Sequence, residues 1–233
     1  MPWDSDFFGF PVARFDCNQV DIISINKATA ECLEIGIKLI YVFVQFGDTE
    51  SISTLQSIDS QLVDCKVTYA MILNSTVAQI ESNNHIISID RISDKLESLV
   101  LQSGEFSRFR LDTKLPLYSF ERMYHLWLTK SLNRLIANEV LVFQDSYGVE
   151  IGLLTLGEKN ARADIGLLAV DMLHRGKKIG QQLIREAQRI AVNDGYEEMQ
   201  VVTQSDNLLA CKFYEKCGFK RVHQEYIYHL WLK

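Results

Sequence analysis

A basic turn leading into a helix is the part of this sequence whose residue types most directly suggest chemistry. The segment LHRGKKIGQQLIREAQ, residues 173–188, places three cations and two glycines ahead of an apolar helical stripe. These residues are Arg175, Gly176, Lys177, Lys178 and Gly180. The first turn of a helix has unpaired backbone N–H groups at the positive end of the helix dipole. Because glycines let an anion approach those groups closely, the turn predicts a phosphate-binding site.

The turn itself leaves a second interpretation open. It matches neither the G-x-x-x-x-G-K-[ST] phosphate loop nor the G-x-G-x-x-G dinucleotide pattern. It does lack any acidic residue between residues 173 and 185, although first helical turns usually favour acids. The alternative is an exposed strand-to-helix turn with solvated lysines, and the turn alone does not decide between the two.

The composition limits the kind of anion that this turn could bind. The chain has 233 residues, a formal net charge of −6, 47% hydrophobic residues and 23% charged residues. That balance is typical of a folded protein with one large domain or two small ones. Broad nucleic-acid binding requires a basic face, which an acidic chain does not favour. A local basic turn in such a chain therefore predicts a small anionic ligand.

The sequence also predicts the cellular setting. The longest purely apolar run, residues 39–44, is far shorter than the roughly 20 residues that span a bilayer. The first residues, MPWDSDFFGF, lack the basic start of a secretory signal. The five cysteines form no C-x-x-C pair, which disfavours disulfides and zinc. We therefore expect a cytoplasmic protein without membrane association or a metal site.

Hydrophobic periodicity predicts alternating strands and helices that would position the turn. The predicted strands are residues 8–16, 38–46, 61–73, 139–145, 149–158, 162–170, 197–204 and 220–232. The predicted helices are residues 20–36, 48–58, 94–104 and 120–132, one from the basic turn to about residue 195, and 207–218. Residues 74–85 read as a loop. The pattern restarts near residue 104, which predicts a smaller N-terminal α/β domain over residues 1–104 and a second domain over residues 105–233.

Three segments in order resemble the GCN5-related N-acetyltransferase (GNAT) family: IGLLAV, RGKKIGQQL and VVTQSDNLLACKFYEKCGF. In that family the turn reads [R/Q]-x-x-G-x-[G/A], and here it runs from Arg175 to Gly180, with Lys178 where glycine is usual. The resemblance covers residues 141–232. It implies an α/β (α+β) GNAT fold whose central sheet is mixed, mostly antiparallel and splayed, with helices on both sides. It also implies acetyl-CoA as co-substrate and an amine as acceptor.

The resemblance assigns roles along the path of the acyl carrier. The implied donor-binding residues are Leu168, Ala169, Val170, Arg175, Gly176, Lys177, Lys178, Ile179, Gly180, Gln181, Asn207 and Tyr214. The turn would bind the pyrophosphate, and the amide of Leu168 would polarise the acetyl carbonyl. Tyr214 would protonate the leaving thiolate, and Asn207, seven residues earlier on the same helical face, would contact the carrier. The alternative for Tyr214 is a half-buried aromatic with one hydrogen bond.

The base that deprotonates the amine is not identified by the sequence. Asp164, Glu158, His125 and His174 are titratable candidates, since a carboxylate or an imidazole can accept a proton near neutral pH. Deprotonation through ordered water is the preferred interpretation.

Further segments bear on the acceptor. WDSDFFGFPVARF, SGEFSRFRLD and FERMYHLWLTKS resemble a GNAT subgroup that acetylates a dTDP-linked 4-amino-4,6-dideoxy sugar. This implies a nucleotide-linked amino sugar as the acceptor. The candidate acceptor-binding residues are Ser107, Arg108, Phe109, Tyr124, Trp127 and Gln204. A guanidinium can bind a phosphate bidentately, and aromatic rings can stack on a base or sugar. The alternative places Phe109 and Trp127 in the core and pairs Arg108 with a surface acid.

Two classes of function remain open from the sequence. The first is an N-acetyltransferase, with a peptide or small-metabolite amine as the variant acceptor. The second is a non-catalytic protein that binds acyl-CoA or a nucleotide sugar. The sequence leaves a homodimer open in either case.

Overall fold

Nine strands form a single sheet in the computed structural model, which describes residues 1–79 and 81–233. The strands are β1 (Val12–Phe15), β2 (Leu39–Gln45), β3 (Ser60–Ile72), β4 (Ile86–Ser88), β5 (Glu139–Gln144), β6 (Glu150–Lys159), β7 (Arg162–Val170), β8 (Glu198–Gln204) and β9 (Lys220–Trp231). The helices are α1 (Pro2–Phe8), α2 (Ile22–Glu34), α3 (Thr49–Gln56), α4 (Asp94–Ser103), α5 (Arg108–Leu111), α6 (Ser119–Leu132), α7 (Ile179–Asn193) and α8 (Leu208–Lys216).

The strand order is β1-β2-β9-β3-β8-β7-β6-β5-β4. The pairs β1–β2 and β7–β8 are parallel, and the other described pairs are antiparallel. This confirms the predicted α/β class and the mixed, mostly antiparallel sheet. Strand β3 lies between β8 and β9, so chain from before residue 104 pairs with chain from after it. The division into two domains at that residue stays a prediction.

Side-chain alternation along the strands separates two layers of helices. Val140 and Val142 pack in the cluster under α4 and α6, whereas Leu141 and Phe143 pack in the cluster under α7. Successive side chains of a strand point to opposite faces, so one short strand contributes to both layers. A third cluster packs α2 and α3 against β2 and β9.

The sheet opens between β7 and β8. These strands pair only from Ala163 to Ile165, whereas β7 stays paired with β6 as far as Val170. A register shift leaves Gly166 without an opposite residue on β6, and the Leu167 amide donates to Thr155 Oγ1 at 2.9 Å. A bulge of this kind bends the strand and increases its twist. The bulge coincides with the point where β7 leaves β8.

The N-terminus differs from its prediction. Residues 2–8 form α1, and β1 is only four residues long, so the strand predicted from residue 8 is wrong at its start. Pro2 lies in the first helical turn, where its missing N–H group is not needed, and the helix ends at Gly9 with φ +77°. Strand β4 and the one-turn helix α5 are too short to produce a periodic pattern. Ile80, in the predicted loop, lies outside the described residues.

Helix length and hydropathy give one further result. Across residues 1–79 and 81–233, every helix is too short or too polar to cross a membrane.

Helix α7 packs so closely on β6 that a single methyl group should disturb the contact. A Cβ at Gly152 would lie 2.9 Å from Ile179 Cγ2 and 3.0 Å from Leu183 Cδ1. We expect Gly152→Ala to lower the free energy of unfolding by about 1–3 kcal/mol, as overpacking does. Urea denaturation of Gly152→Ala, Ile179→Ala and the double variant should show that the double variant is more stable than additivity predicts. Strictly additive losses would contradict this packing.

Candidate functional site

A cavity of about 600 Å³ lies where β7 and β8 separate. All six candidate acceptor residues line it, together with three of the donor candidates. They are Ser107, Arg108, Phe109, Tyr124, Trp127 and Gln204, and Leu168, Asn207 and Tyr214. The walls come from both sides of residue 104, because α1, β3 and α4 contribute as well as α5, α6 and α8. The structure therefore brings together residues that the sequence could assign only one by one.

The backbone of β7 presents unpaired donors to the opening. The amides of Leu167 and Asp171 both point toward β6, where they donate to Thr155 Oγ1 and Ile151 O. Amides alternate in direction along an antiparallel strand, so those of Leu168 and Val170 point away from β6. That is the side from which β8 has departed after Ile165. The intervening Ala169 is buried in the cluster under α4 and α6.

The basic turn has the geometry of an anion-binding loop. Gly176 has φ +81°, and Lys178, the residue before α7, has φ +62° with no side-chain cap. The backbone amides of residues 176–181 have no hydrogen-bond partner within the described part of the chain. Arg175 donates from Nε to Val170 O at 3.1 Å, and the side chains of Lys177 and Lys178 are exposed. Lys178, which stands where the family pattern has glycine, thus keeps the left-handed backbone that glycine adopts most easily, and its side chain adds a positive charge to the turn.

Two turn residues can act only through their backbone. Ile179 and Gly180 are buried. A Cβ at Gly180 would lie 3.0 Å from Phe213 Cζ, so its small size serves the packing of α7 against α8. The role of the Gly180 amide in binding an anion stays a prediction, and packing against Phe213 is a second reason for glycine at this position. Gln181, one residue further, is half-buried.

Asn207, which caps α8, and Tyr214, within α8, both line the cavity. Asn207 Oδ1 accepts from the Ala210 amide at 3.1 Å and caps the helix, which leaves its Nδ2 group available to donate. Tyr214 packs against Tyr69 and Phe219, and its hydroxyl has no hydrogen-bond partner within the described residues. Burial raises the pKa of Tyr214 well above its ordinary value, so the phenol stays protonated and can donate.

Arg108 is a cation that no acid of the described chain neutralises. Its guanidinium carbon lies 4.9 Å from the ring centre of Tyr41 and 4.8 Å from that of Phe109, and its Nε is buried without a hydrogen-bond partner. The alternative in which Arg108 pairs with a surface acid is therefore wrong. Ser107 caps α5 by accepting from the Phe109 amide at 3.3 Å.

The aromatic candidates both line the cavity and pack against one another. Trp127 is half-buried, with its ring centre 5.9 Å from that of Phe109 and 4.9 Å from that of Tyr124. Phe109 and Tyr124 are buried in the cluster under α4 and α6. The core alternative thus fits Phe109 but fits Trp127 only in part, because Trp127 keeps exposed surface. Tyr124, for which that alternative was not given, is buried as well.

Asp64 is a cavity residue that the sequence prediction missed. On β3 the pairing shifts between Leu62, opposite Tyr228, and Asp64, opposite Ile227, so Val63 is the extra residue of a bulge. Asp64 is only 9% exposed, and its Oδ1 has no hydrogen-bond partner within the described chain. Burial raises the pKa of Asp64 to about 6, against the opposing positive charge of Arg108. The available signal was an acid inside the apolar strand QLVDCKVTYAMIL.

The candidate bases named from the sequence already have protein partners. Asp164 accepts from Gln200 Nε2 at 2.8 Å, and Glu158 accepts from the Tyr196 hydroxyl at 2.8 Å. Two more lie elsewhere: His125 Nδ1 is 2.8 Å from Glu97, beside a separate groove, and His174 Nδ1 is 3.1 Å from Asp171. Among residues 1–79 and 81–233, His, Cys, Asp and Glu side chains form no group that could hold a metal ion.

Known proteins resemble this chain in sequence and in fold. Residues 107–219 match the model of the acetyltransferase (GNAT) family. The dTDP-fucosamine acetyltransferase of Escherichia coli O6:H1 (strain CFT073) is 25% identical over 219 residues, covering 94% of this chain and 91% of that protein. The crystal structure of a GCN5-related N-acetyltransferase from Sphaerobacter thermophilus gives a TM-score of 0.56 at 14% identity, over 91% of this chain and 67% of that one. A functionally unknown conserved protein from Staphylococcus epidermidis gives a TM-score of 0.64 at 10% identity, over 94% of this chain and 84% of that one.

The raised pKa of Asp64 has a consequence for stability. The pKa of Asp64 is higher in the folded than in the unfolded chain, so the folded protein becomes less stable as pH rises from about 4 to about 6 and the buried group ionises. We expect Asp64→Asn to match the wild type near pH 4 and to be more stable by about 1–3 kcal/mol at pH 8. Urea denaturation at both pH values measures this, with the exposed Asp206→Asn as control. Lower stability of Asp64→Asn at pH 8 would contradict the burial of a charged carboxylate.

Proposed function

Residues 107–219 belong to the GNAT family and the chain is an acetyltransferase, and from this premise we propose that it transfers an acetyl group from acetyl-CoA to the amine of a nucleotide-linked amino sugar. The observation that carries the proposal is a single opening in the sheet, at the separation of β7 from β8. Unpaired amides of β7, the protonated Tyr214 and Arg108 line this opening, and the basic turn follows β7 and contacts its last residue through Arg175.

The donor would bind along the edge of β7 and at the start of α7. The pyrophosphate accepts from the unpartnered amides of residues 176–181, and the charges of Arg175, Lys177 and Lys178 attract it. The pantetheine arm lies against the free backbone groups of β7 and the Nδ2 group of Asn207. Each of these groups would otherwise depend on water for a partner.

Two groups would act on the thioester itself. The Leu168 amide donates to the acetyl carbonyl oxygen, on which negative charge develops as the amine attacks. A fixed donor of this kind contributes about 2.7–4 kcal/mol to the stability of a transition state in related cases. The Tyr214 hydroxyl donates its proton to the sulfur as the carbon–sulfur bond breaks. Its raised pKa favours this role, because a buried phenol remains protonated until a stronger base forms.

The acceptor would occupy the part of the cavity between α5, α6 and β3. The relative that is 25% identical across 94% of this chain is a dTDP-fucosamine acetyltransferase, and this supports a nucleotide-linked amino sugar. Arg108 and Trp127 supply the chemistry such a ligand requires, a guanidinium for the diphosphate and an aromatic ring for a sugar or base.

An acceptor panel tests this assignment. We expect acetyl-CoA-dependent thiol release with dTDP-4-amino-4,6-dideoxygalactose, and much slower release with the free amino sugar or a peptide amine. Arg108→Gln should raise KM for the nucleotide sugar about 10- to 100-fold and change kcat little, because the lost contact binds a non-reacting phosphate. Arg110→Gln, an exposed neighbour outside the cavity, is the matched control. A protein that binds acetyl-CoA but acetylates no amine would instead be a non-catalytic binder.

Removal of one hydroxyl tests the proton donor. Tyr214→Phe should lower kcat about 100- to 1,000-fold, as loss of a general acid does, while the Kd for acetyl-CoA stays within about twofold. Affinity should persist because the ring keeps its packing and the hydroxyl bonds no other residue of the described chain. Tyr228→Phe, buried under α2 and α3, is the control for loss of a tyrosine hydroxyl. An unchanged kcat would remove Tyr214 from the mechanism.

A further inference from the structure

Asp64 and Arg108 both line the cavity and attract each other, but they form no direct ion pair within the described residues. Neither Asp64 nor Arg108 forms an ion pair with another side chain of the described residues. Each keeps one buried polar atom without a hydrogen-bond partner, Oδ1 in Asp64 and Nε in Arg108. A buried polar group of this kind destabilises the fold, so its presence in a cavity indicates a ligand that supplies the partner.

We propose that the Asp64 carboxylate binds the ammonium group of the acceptor and accepts its proton before the amine attacks the thioester. This inference rests on the acetyl transfer proposed above and adds the base that the transfer requires.

The position of Asp64 suits this role. The bulge at Val63 places Asp64 opposite Ile227, on the same face of the sheet as Tyr41 and His229, which is the face that Arg108 covers. Two residues further along β3, Lys66 lies opposite Gln204, the last residue of β8. Helix α8, which carries Tyr214, begins four residues after Gln204. The acid and the phenol thus approach the same opening from adjacent elements.

The other carboxylates of the cavity accept hydrogen bonds from protein donors, and none of them keeps a buried oxygen without a partner as Asp64 does among the described residues. Asp164 and Glu158 accept hydrogen bonds at 2.8 Å from Gln200 and Tyr196. Asp4 accepts from the Tyr41 hydroxyl at 3.4 Å. Burial raises the pKa of Asp164 as it does that of Asp64, but the Gln200 donor opposes that rise and occupies an oxygen that an ammonium group would need.

The groups that face Asp64 adjust its basicity. Burial raises the pKa of Asp64. Arg108 on α5, Lys66 on β3 and the side-chain amide of Gln204 on β8 oppose that rise, and Glu225 on β9 adds to it. Burial raises the pKa of the Tyr124 phenol on α6, and the nearby negative charge of Asp64 adds to that rise. The resulting pKa of about 6 lies closer to the pKa of an amine than that of an exposed aspartate does, so proton transfer from the ammonium group is less unfavourable. At neutral pH the carboxyl group is still ionised and can accept the proton.

The proton transfers balance as follows. Asp64 takes one proton from the ammonium group, and the free amine forms the carbon–nitrogen bond at the thioester carbon. The nitrogen loses a second proton as the carbon–sulfur bond breaks, while the sulfur takes a proton from Tyr214. The second proton restores the Tyr214 hydroxyl through solvent, and Asp64 releases its own proton to solvent. The net products are the amide, the thiol of coenzyme A and one proton.

A pH profile distinguishes proton transfer from a structural role. The kcat/KM for dTDP-4-amino-4,6-dideoxygalactose should be measured from pH 5.5 to 9.5 for the wild type, Asp64→Asn and Asp164→Asn. Asp64→Asn should lose about 100-fold at pH 7 and less than about fivefold at pH 9.5, where the amine is already unprotonated. The wild type should lose activity below about pH 6. Asp164→Asn, a half-buried acid on the same cavity wall, should stay within about threefold at every pH.

The outcomes separate the two proposals. Suppose that the wild type acetylates the nucleotide sugar and Asp64→Asn is equally active. The role of Asp64 is then overturned, and the proposed function stands. The same conclusion follows if Asp164→Asn, rather than Asp64→Asn, shows the pH-dependent loss. A constant loss in Asp64→Asn across the whole pH range also overturns the proton transfer. If the wild type acetylates no amine, the proposed function fails and the role of Asp64 fails with it.

Discussion

Strand β7 leaves β8 after Ile165, and the backbone groups released there must find partners other than a strand. Within a sheet each N–H and C=O group is paired by its neighbour, so a sheet that opens in its centre creates donors in an otherwise buried place. Leaving one such group unsatisfied costs about 1–3 kcal/mol. The opening therefore favours a ligand with an extended chain of polar groups that runs along the strand edge, and the pantetheine arm of acetyl-CoA is such a chain.

The two ends of this opening bring different chemistry. At one end β7 leads through residues 171–178 into α7, whose first amides and basic side chains suit a diphosphate. Asp171 links the turn to the N-terminal part of the chain, because it accepts from Lys95 on α4 at 2.5 Å. It also accepts from the Leu173 amide at 3.0 Å, within the turn itself. Hydrogen bonds from Lys95, His174 and the Leu173 amide hold the pKa of Asp171 down at about 2, so this carboxylate stays charged at any ordinary pH. At the other end, β3 and α5 contribute Asp64 and Arg108.

Much of this arrangement could be predicted from local pattern. The periodicity of residues 179–193 and the glycines and lysines before them define the turn and α7, because both depend on neighbours in sequence. The position of Asp64 could not be predicted in this way. It depends on a bulge at Val63 that only the register of β3 against β9 reveals, and on the insertion of β3 between β8 and β9. The sequence predicts Arg108 as a candidate phosphate ligand, but only the folded structure shows that no acid of the described residues forms an ion pair with it. The sequence does not predict helix α1, because seven residues are too few to show a helical period, and its Phe7 and Phe8 pack on α6 and α5, which are distant in sequence.

A crystal structure with acetyl-CoA tests the central claim most directly. We expect the diphosphate oxygens within about 3.2 Å of the backbone nitrogens of residues 176–181, and the acetyl oxygen within the same distance of the Leu168 nitrogen. The pantetheine arm should lie between β7 and β8. Density for the cofactor at another surface, or those nitrogens turned toward neighbouring protein atoms, would contradict the assignment of the sheet opening as the donor site.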